Sequence, residues 1–192
     1  MGLDEYLDEA YALSVFDQVI ESKDRWEFHL HGEKIVQARI LENMIYDVKI
    51  EMEGKGEEEL PKIQIKFLYP AELSDTVRKL LKTDKKIKAL HLEPIFSPHK
   101  RFFVKNKSLF PLMKEKQVLF FKMLEGEIVR GVVTAFSRYE ITIHLKGGIP
   151  VTIMRYAIYD LRNKKGRCFL KSFQEEHRDW ENSELFVKEQ KS

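Results

Sequence analysis

Residues 126–161 alternate apolar and polar positions almost without interruption. Ile141, Ile143 and Leu145 alternate with Glu140, Thr142 and His144, which is the period of a strand with one covered face. The breaks in this alternation predict strands over residues 118–124, 127–137, 139–146, 149–155 and 158–162. Gly126 marks the first turn, and Gly147-Gly148 supplies the unusual backbone angles of a central hairpin. Gly131, inside a strand, predicts a bulge or tight bend that lets five strands curl into a small barrel.

Helical spacing precedes each strand-rich stretch. Tyr6, Ala10, Leu13, Phe16 and Ile20 predict one amphipathic helix whose apolar stripe lies on the first sheet. Residues 108–117 predict a shorter helix with the same place before the second sheet. Residues 74–90 read as a basic helix starting at Ser74, and Pro94 and Pro98 keep the following stretch extended. Residues 99–107 interleave aromatics with cations. That pattern suits either a single-strand nucleic-acid binder or a strand packing Phe102-Phe103 on the core.

The pattern occurs twice. Residues 32–52 align with residues 126–145 when Lys34 is taken as one extra residue. Ile35 then falls on Ile128, Tyr46 on Tyr139, Asp47 on Glu140, Val48 on Ile141 and Ile50 on Ile143, an offset of 93. The loop 53–59 answers Lys146-Gly147-Gly148. Residues 60–73 are then set on 149–161, with Leu60-Pro61 over Ile149-Pro150 and Ile65 over Ile153. Such order predicts an internal duplication. Residues 1–73 form a helix and a degenerate first copy, 74–107 a basic linker with a helix, 108–163 the second copy, and 164–192 a polar tail, loose beyond Phe173.

Charge adds to this division. The net charge of +2 hides 8 Lys/Arg against 17 Asp/Glu in residues 1–73 and 12 against 4 in residues 74–116. An acidic first third beside a basic middle predicts two surfaces with different partners. No apolar run approaches the length of a bilayer span, the start lacks a signal-peptide pattern, and Tyr6 stands where a myristoylation motif needs Ser or Thr. A soluble, cytoplasmic protein is expected. Cys168 is the single cysteine, so no disulfide or zinc cluster is expected. His29 and His31 share a strand face without a carboxylate pair spaced for a metal, and no phosphate-cradling glycine loop is present. No catalysis, metal or cofactor is expected.

Residues 109–162 resemble the Sm-like fold, and within it the Hfq family of bacterial RNA chaperones. "PLMKEKQVLFFKMLEGEIVRGVVTAFSRYEITI" is similar to that family's short helix, first strand, glycine turn and bent second strand; "IMRYAIYDL" is similar to its closing signature. The resemblance implies a mainly β chain with N-terminal helices: two five-stranded open barrels of the SH3-like small type, in tandem and joined by the basic linker. It also implies edge-to-edge assembly into a ring and binding of uridine-rich or adenine-rich single-stranded RNA.

By position in that family, Arg138-Tyr139 and Arg155-Tyr156 would converge on one nucleotide pocket at a ring pore. Tyr139 offers a stacking ring worth about 1–3 kcal/mol per base, and the arginines offer planar forks for phosphate or base edges. Tyr156 stands where the family has a histidine. Lys122 and Glu127 replace the residues that read adenine-rich RNA, so uridine-rich RNA is the expected ligand. Lys114 and Lys116 match a basic patch on the rim and could steer RNA. In the first copy the corresponding positions are Ile45-Tyr46 and Phe67-Leu68, which keep a ring and lose both cations. Self-assembly is expected as a ring of three chains, or of six with the first copies outside. The alternative is a scaffold of small barrels without RNA, in which the tyrosines pack at a subunit interface.

Overall fold

The computed structural model describes residues 1–170; of the polar tail expected over 164–192, the part from 171 on, including the stretch beyond Phe173 expected to be loose, lies outside the described residues. The first half carries α1 (Leu3–Ala10), α2 (Val15–Ser22), β1 (Trp26–Leu30), β2 (Lys34–Asn43), β3 (Asp47–Met52), β4 (Gly56–Pro61) and β5 (Ile65–Pro70). A connection follows with α3 (Ser74–Leu80), β6 (Lys82–Thr83) and α4 (Lys85–Lys88). The second half carries α5 (Asn106–Lys114), β7 (Val118–Met123), β8 (Glu127–Phe136), β9 (Glu140–His144), β10 (Pro150–Met154) and β11 (Ile158–Asn163). The five strands expected in the second half are present to within two residues at each end.

All eleven strands join one open antiparallel sheet in the order β11-β7-β8-β9-β10-β5-β1-β2-β3-β4, with β6 beside β8. Read from each half's last strand, the two halves have the same order: last, first, second, third, fourth. They meet where β10 pairs with β5, Thr152 opposite Leu68 and Ile153 opposite Phe67. The sheet is therefore continuous across the two halves. Among the described residues no helix is long and apolar enough to cross a membrane.

The offset of 93 holds from β1 to β11 without an insertion. β1 through Leu30 ends where β7 ends at Met123, and β2 spans Lys34–Asn43 as β8 spans Glu127–Phe136. Both long strands carry a register shift at equivalent places, Ile40/Glu42 and Val133/Ala135. In the turns, Glu33 at φ 57° takes the place of Gly126 at φ 92°, so a left-handed residue is needed at both and glycine supplies it only once. The equivalence continues into the last strands: Pro61 answers Met154, Lys62 answers Arg155, and Ile65 answers Ile158 at the head of β11. The sequence alignment that set Leu60-Pro61 over Ile149-Pro150 is thus displaced. A shared X-Pro pair drew it out of register, whereas the strand ends keep one spacing.

Other expectations shift as well. The N-terminal stripe is two helices. Leu13 is exposed, and Ser14, in extended conformation, caps a new helix by accepting from Phe16 N–H at 3.3 Å. α1 leaves the first half altogether. The Tyr6 ring packs on Phe110 and Phe136, and its hydroxyl donates to Phe136 O at 2.7 Å. The basic helix from Ser74 stops at Leu80, because Leu81 turns extended and Lys82-Thr83 pair with Ile128 and Glu127. Gly131 is not the bulge; a Cβ there would lie 2.6 Å from His144 O, so it permits close approach of β9, and the bulge falls three residues later.

Buried charges tie the halves and the connection together. Lys66 of β5, 1% exposed, reaches Glu125 in the β7–β8 turn and Glu127 at the start of β8. Glu27 of β1, fully buried, takes a two-pronged bond from Arg78 of α3 at 2.8 and 2.7 Å and a hydroxyl from Tyr69. Burial alone would raise the Glu27 carboxyl, but the bonds from Arg78, Gln37 and Tyr69 outweigh it and hold the group low. Lys122 meets Asp84 at 2.5 Å, and Asp84 caps α4. The connection is docked along its length from Ser74 to Lys88.

Candidate nucleic-acid interface

The loop between β8 and β9 and the short helical turn 155–157 lie together because β9 and β10 are paired through Met154 opposite Glu140. Arg155 N–H donates to Tyr139 O at 2.8 Å, so all four residues Arg138, Tyr139, Arg155 and Tyr156 belong to one neighbourhood. Their side chains part company there. Tyr139 is 54% exposed with the Arg138 guanidinium 5.5 Å from its ring centre, a cation–π pair open to solvent. Arg155 is 6% exposed and turns inward.

Arg155 is used structurally. Its guanidinium donates to Ser137 O at 2.8 Å, to Val104 O at 2.7 Å and twice to Asn106 Oδ1 at 3.0 Å, under the Phe103 ring. Burial pulls its pKa down to about 10, which still leaves it charged near neutrality. Tyr156 is half-buried; its hydroxyl donates to Lys62 O in the first half, and Arg101 lies 5.6 Å from its ring. Burial pushes that phenol well up. Neither side chain faces solvent as the resemblance implied.

The first half repeats the arrangement. Lys62 N–H donates to Tyr46 O at 2.8 Å as Arg155 N–H donates to Tyr139 O, and Met44 N–H meets Asp47 O at 3.0 Å as Ser137 N–H meets Glu140 O at 2.9 Å. The Lys62 ammonium donates to Met44 O, the equivalent of the bond from Arg155 to Ser137 O. The counterpart of Arg155 in the first half is therefore Lys62, so a cation is kept at that position after all. Both cations fasten the loop that carries the tyrosine. Tyr46 stands out at 79% exposed beside Ile45 at 82%. Two exposed tyrosines thus occupy equivalent positions on neighbouring halves.

Glu140 stitches these loops to the N-terminus. Its carboxylate accepts Ser14 Oγ at 2.9 Å and Val15 N–H at 2.8 Å, capping α2 across the joint. Burial raises its pKa, opposed by those bonds and by Lys62. Arg138 N–H donates to Tyr11 O at 3.0 Å, which seats the α1–α2 connection against the second loop. Lys114 and Lys116 are both exposed, at the end of α5 and just after it, with Lys114 over the Phe110 ring at 6.0 Å.

One surface was not singled out from the sequence. An open groove of about 660 Å³ runs between α2 and the starts of β1 and β5's end, lined in part by Lys23, Arg25, Trp26, Gln37 and Arg39. Its residues come from three separate stretches, 15–26, 37–39 and 70–72, and none is conspicuous alone. Among the described residues no group of three or more His, Cys, Asp or Glu could hold a metal ion. His29 Nε2 shares a 2.7 Å bond with the Tyr69 hydroxyl within the sheet, and His31, in the turn after β1, is buried beside Lys66 and Glu125. No family model matches the chain, and no curated protein or solved structure matches it either.

Proposed function

We propose that the chain is a non-catalytic, cytoplasmic single-stranded RNA-binding protein built from two Sm-like open barrels in tandem, with a regulatory or chaperone role. The fold reading rests on the common strand order of the two halves, the helix before each, and the single offset of 93. The functional reading rests on one observation: Tyr46 and Tyr139, equivalent across the joint, both hold their rings in solvent on loops tied down by a cation, the half-buried Lys62 in the first half and the buried Arg155 in the second. Rigid exposed rings in series suit consecutive unpaired bases, each stack being worth about 1–3 kcal/mol. Arg138 beside Tyr139 supplies the cation for a phosphate, and Lys114 and Lys116 supply longer-range attraction. Arg155 and Tyr156 act behind this surface, holding loops rather than touching RNA.

The test is fluorescence anisotropy with uridine-rich, adenine-rich and double-stranded RNA. Tyr46→Ala and Tyr139→Ala should each weaken single-strand binding about tenfold or more and together nearly abolish it, with melting temperature unchanged. Equal affinity of the double variant and the parent would end this reading. A protein-binding scaffold is the second reading. It is favoured by the commitment of Arg155 and Tyr156 to internal bonds and by the exposed Ile45 next to Tyr46. Absence of binding to all three RNAs would leave the scaffold standing.

A further inference from the structure

The long sheet has two ends, and the chain treats them differently. Beyond β11 the chain folds back: Phe169 N–H donates to Leu161 O at 3.0 Å, Arg162 bridges Cys168, and Val104 bridges Leu170. That edge is covered. At the other end β4 pairs with β3 and, among the described residues, with no strand on its outer side. An uncovered edge strand is a template for an added strand.

The chain contains its own example of what such an edge accepts. β10, the counterpart of β4, is covered by β5, with Thr152 opposite Leu68 and Ile153 opposite Phe67. Ninety-three residues earlier the two edge positions are Glu59 and Leu60, preceded by Glu57 and Glu58, and all three glutamates are exposed. An edge that is apolar at the internal joint is strongly acidic at the free end.

A second copy of this chain is a poor occupant. Carrying the internal pairing over would set Leu161 against Glu59 and Asp160 against Leu60, so a carboxylate takes the place of Phe67 next to a row of glutamates. Asp160 is already engaged with Arg162 and is 3% exposed, and the 167–170 segment would first have to leave. Charge and coverage both oppose extension of the sheet by self-pairing.

We propose that β4 is a docking edge for an extended, lysine- or arginine-rich segment of another protein, which adds to the sheet as a further strand. Alternate cations of the incoming strand meet Glu57 and Glu59 on one face, and its apolar residues lie on the opposite face, beside Glu58 and Leu60. Main-chain hydrogen bonds supply most of the affinity. The exposed ion pairs set register and selectivity, since each such pair is worth little.

The experiment uses the full chain and a fluorescein-labelled eight-residue peptide alternating Lys and Val, read by anisotropy at low salt and by amide hydrogen exchange. The expected result is saturable binding with new protection of amides within residues 56–60. Glu57→Lys combined with Glu59→Lys should lower affinity at least tenfold, while Tyr46→Ala with Tyr139→Ala leaves it unchanged. A peptide with a central proline should also lose at least tenfold, because strand addition needs its amides. Equal binding of a Glu-Val peptide, full binding of the proline peptide, or no protection of 56–60 would overturn the proposal. So would light scattering in which the parent chain forms multimers that the double lysine variant disperses, because the edge would then belong to a second copy.

Discussion

The guanidinium of Arg155 donates four hydrogen bonds inside the protein, and the ammonium of Lys62 donates to the carbonyl at the equivalent place in the first half. Removing the guanidinium leaves Ser137 O, Val104 O and Asn106 Oδ1 short of donors in a buried setting. Arg155→Ala should therefore cost roughly 2–4 kcal/mol of stability, lowering the melting temperature by about 5–15 °C. Arg155→Lys, lacking the planar fork, should recover only part of that. A variant that melts like the parent but no longer binds RNA would return Arg155 to the binding surface. At this scale the sequence was only half legible. Arg138-Tyr139 and Arg155-Tyr156 fall in one neighbourhood because strand alternation and turns are local signals. Which way each side chain points depends on Val104 and Asn106, some fifty residues away, and no local pattern carries that. Lys62 was hidden for a different reason: the Leu-Pro and Ile-Pro pairs pulled the alignment off the offset that the strands keep.

Among the elements, β1 and the turn after it hold an unusual load of buried polar groups: Glu27, His29 and His31. Burial lowers both histidines to about 4, with Glu27 and Glu125 respectively pulling upward and Lys66 pulling downward on both. Each is neutral in the fold and binds a proton more readily unfolded, so stability is complete above the ordinary histidine pKa of about 6.5 and is lost as pH falls from there toward 4. At pH 5 the loss amounts to about 2 kcal/mol per histidine. Thermal unfolding between pH 7.5 and 5 should show a steep fall that His31→Gln flattens by about half; a flat profile in the parent would mean that these rings reach water. The strands themselves were legible in the second half because alternation there is nearly unbroken. The N-terminal helix was not: Tyr6 and Phe16 share a helical spacing, yet one packs on the second half and the other on the first, a choice made by Phe136 and Glu140.

For the whole molecule, the halves share the β5–β10 pairing, the Lys66 contacts, α1 on the second half and the Glu140 cap on α2. A protease site placed at 91–93, where His91 and Glu93 are exposed and no regular element crosses, should give two pieces that stay together. They should elute together at the position of the uncut protein and separate only in denaturant. Separation on a sizing column in buffer would mean that the halves are independent and the joint is weak. Because the joint lies within one chain, dilution cannot take it apart. A protein that builds adjacent base platforms from separate subunits loses them when its concentration falls below the subunit dissociation constant. Here Tyr46 and Tyr139 belong to halves joined within one chain, so each stays with the other at a fixed effective concentration, on the order of millimolar or above for short tethers. The occupancy of a ligand spanning both rings should follow the ligand alone, with the same midpoint whether the protein is present at ten molecules or ten thousand per cell.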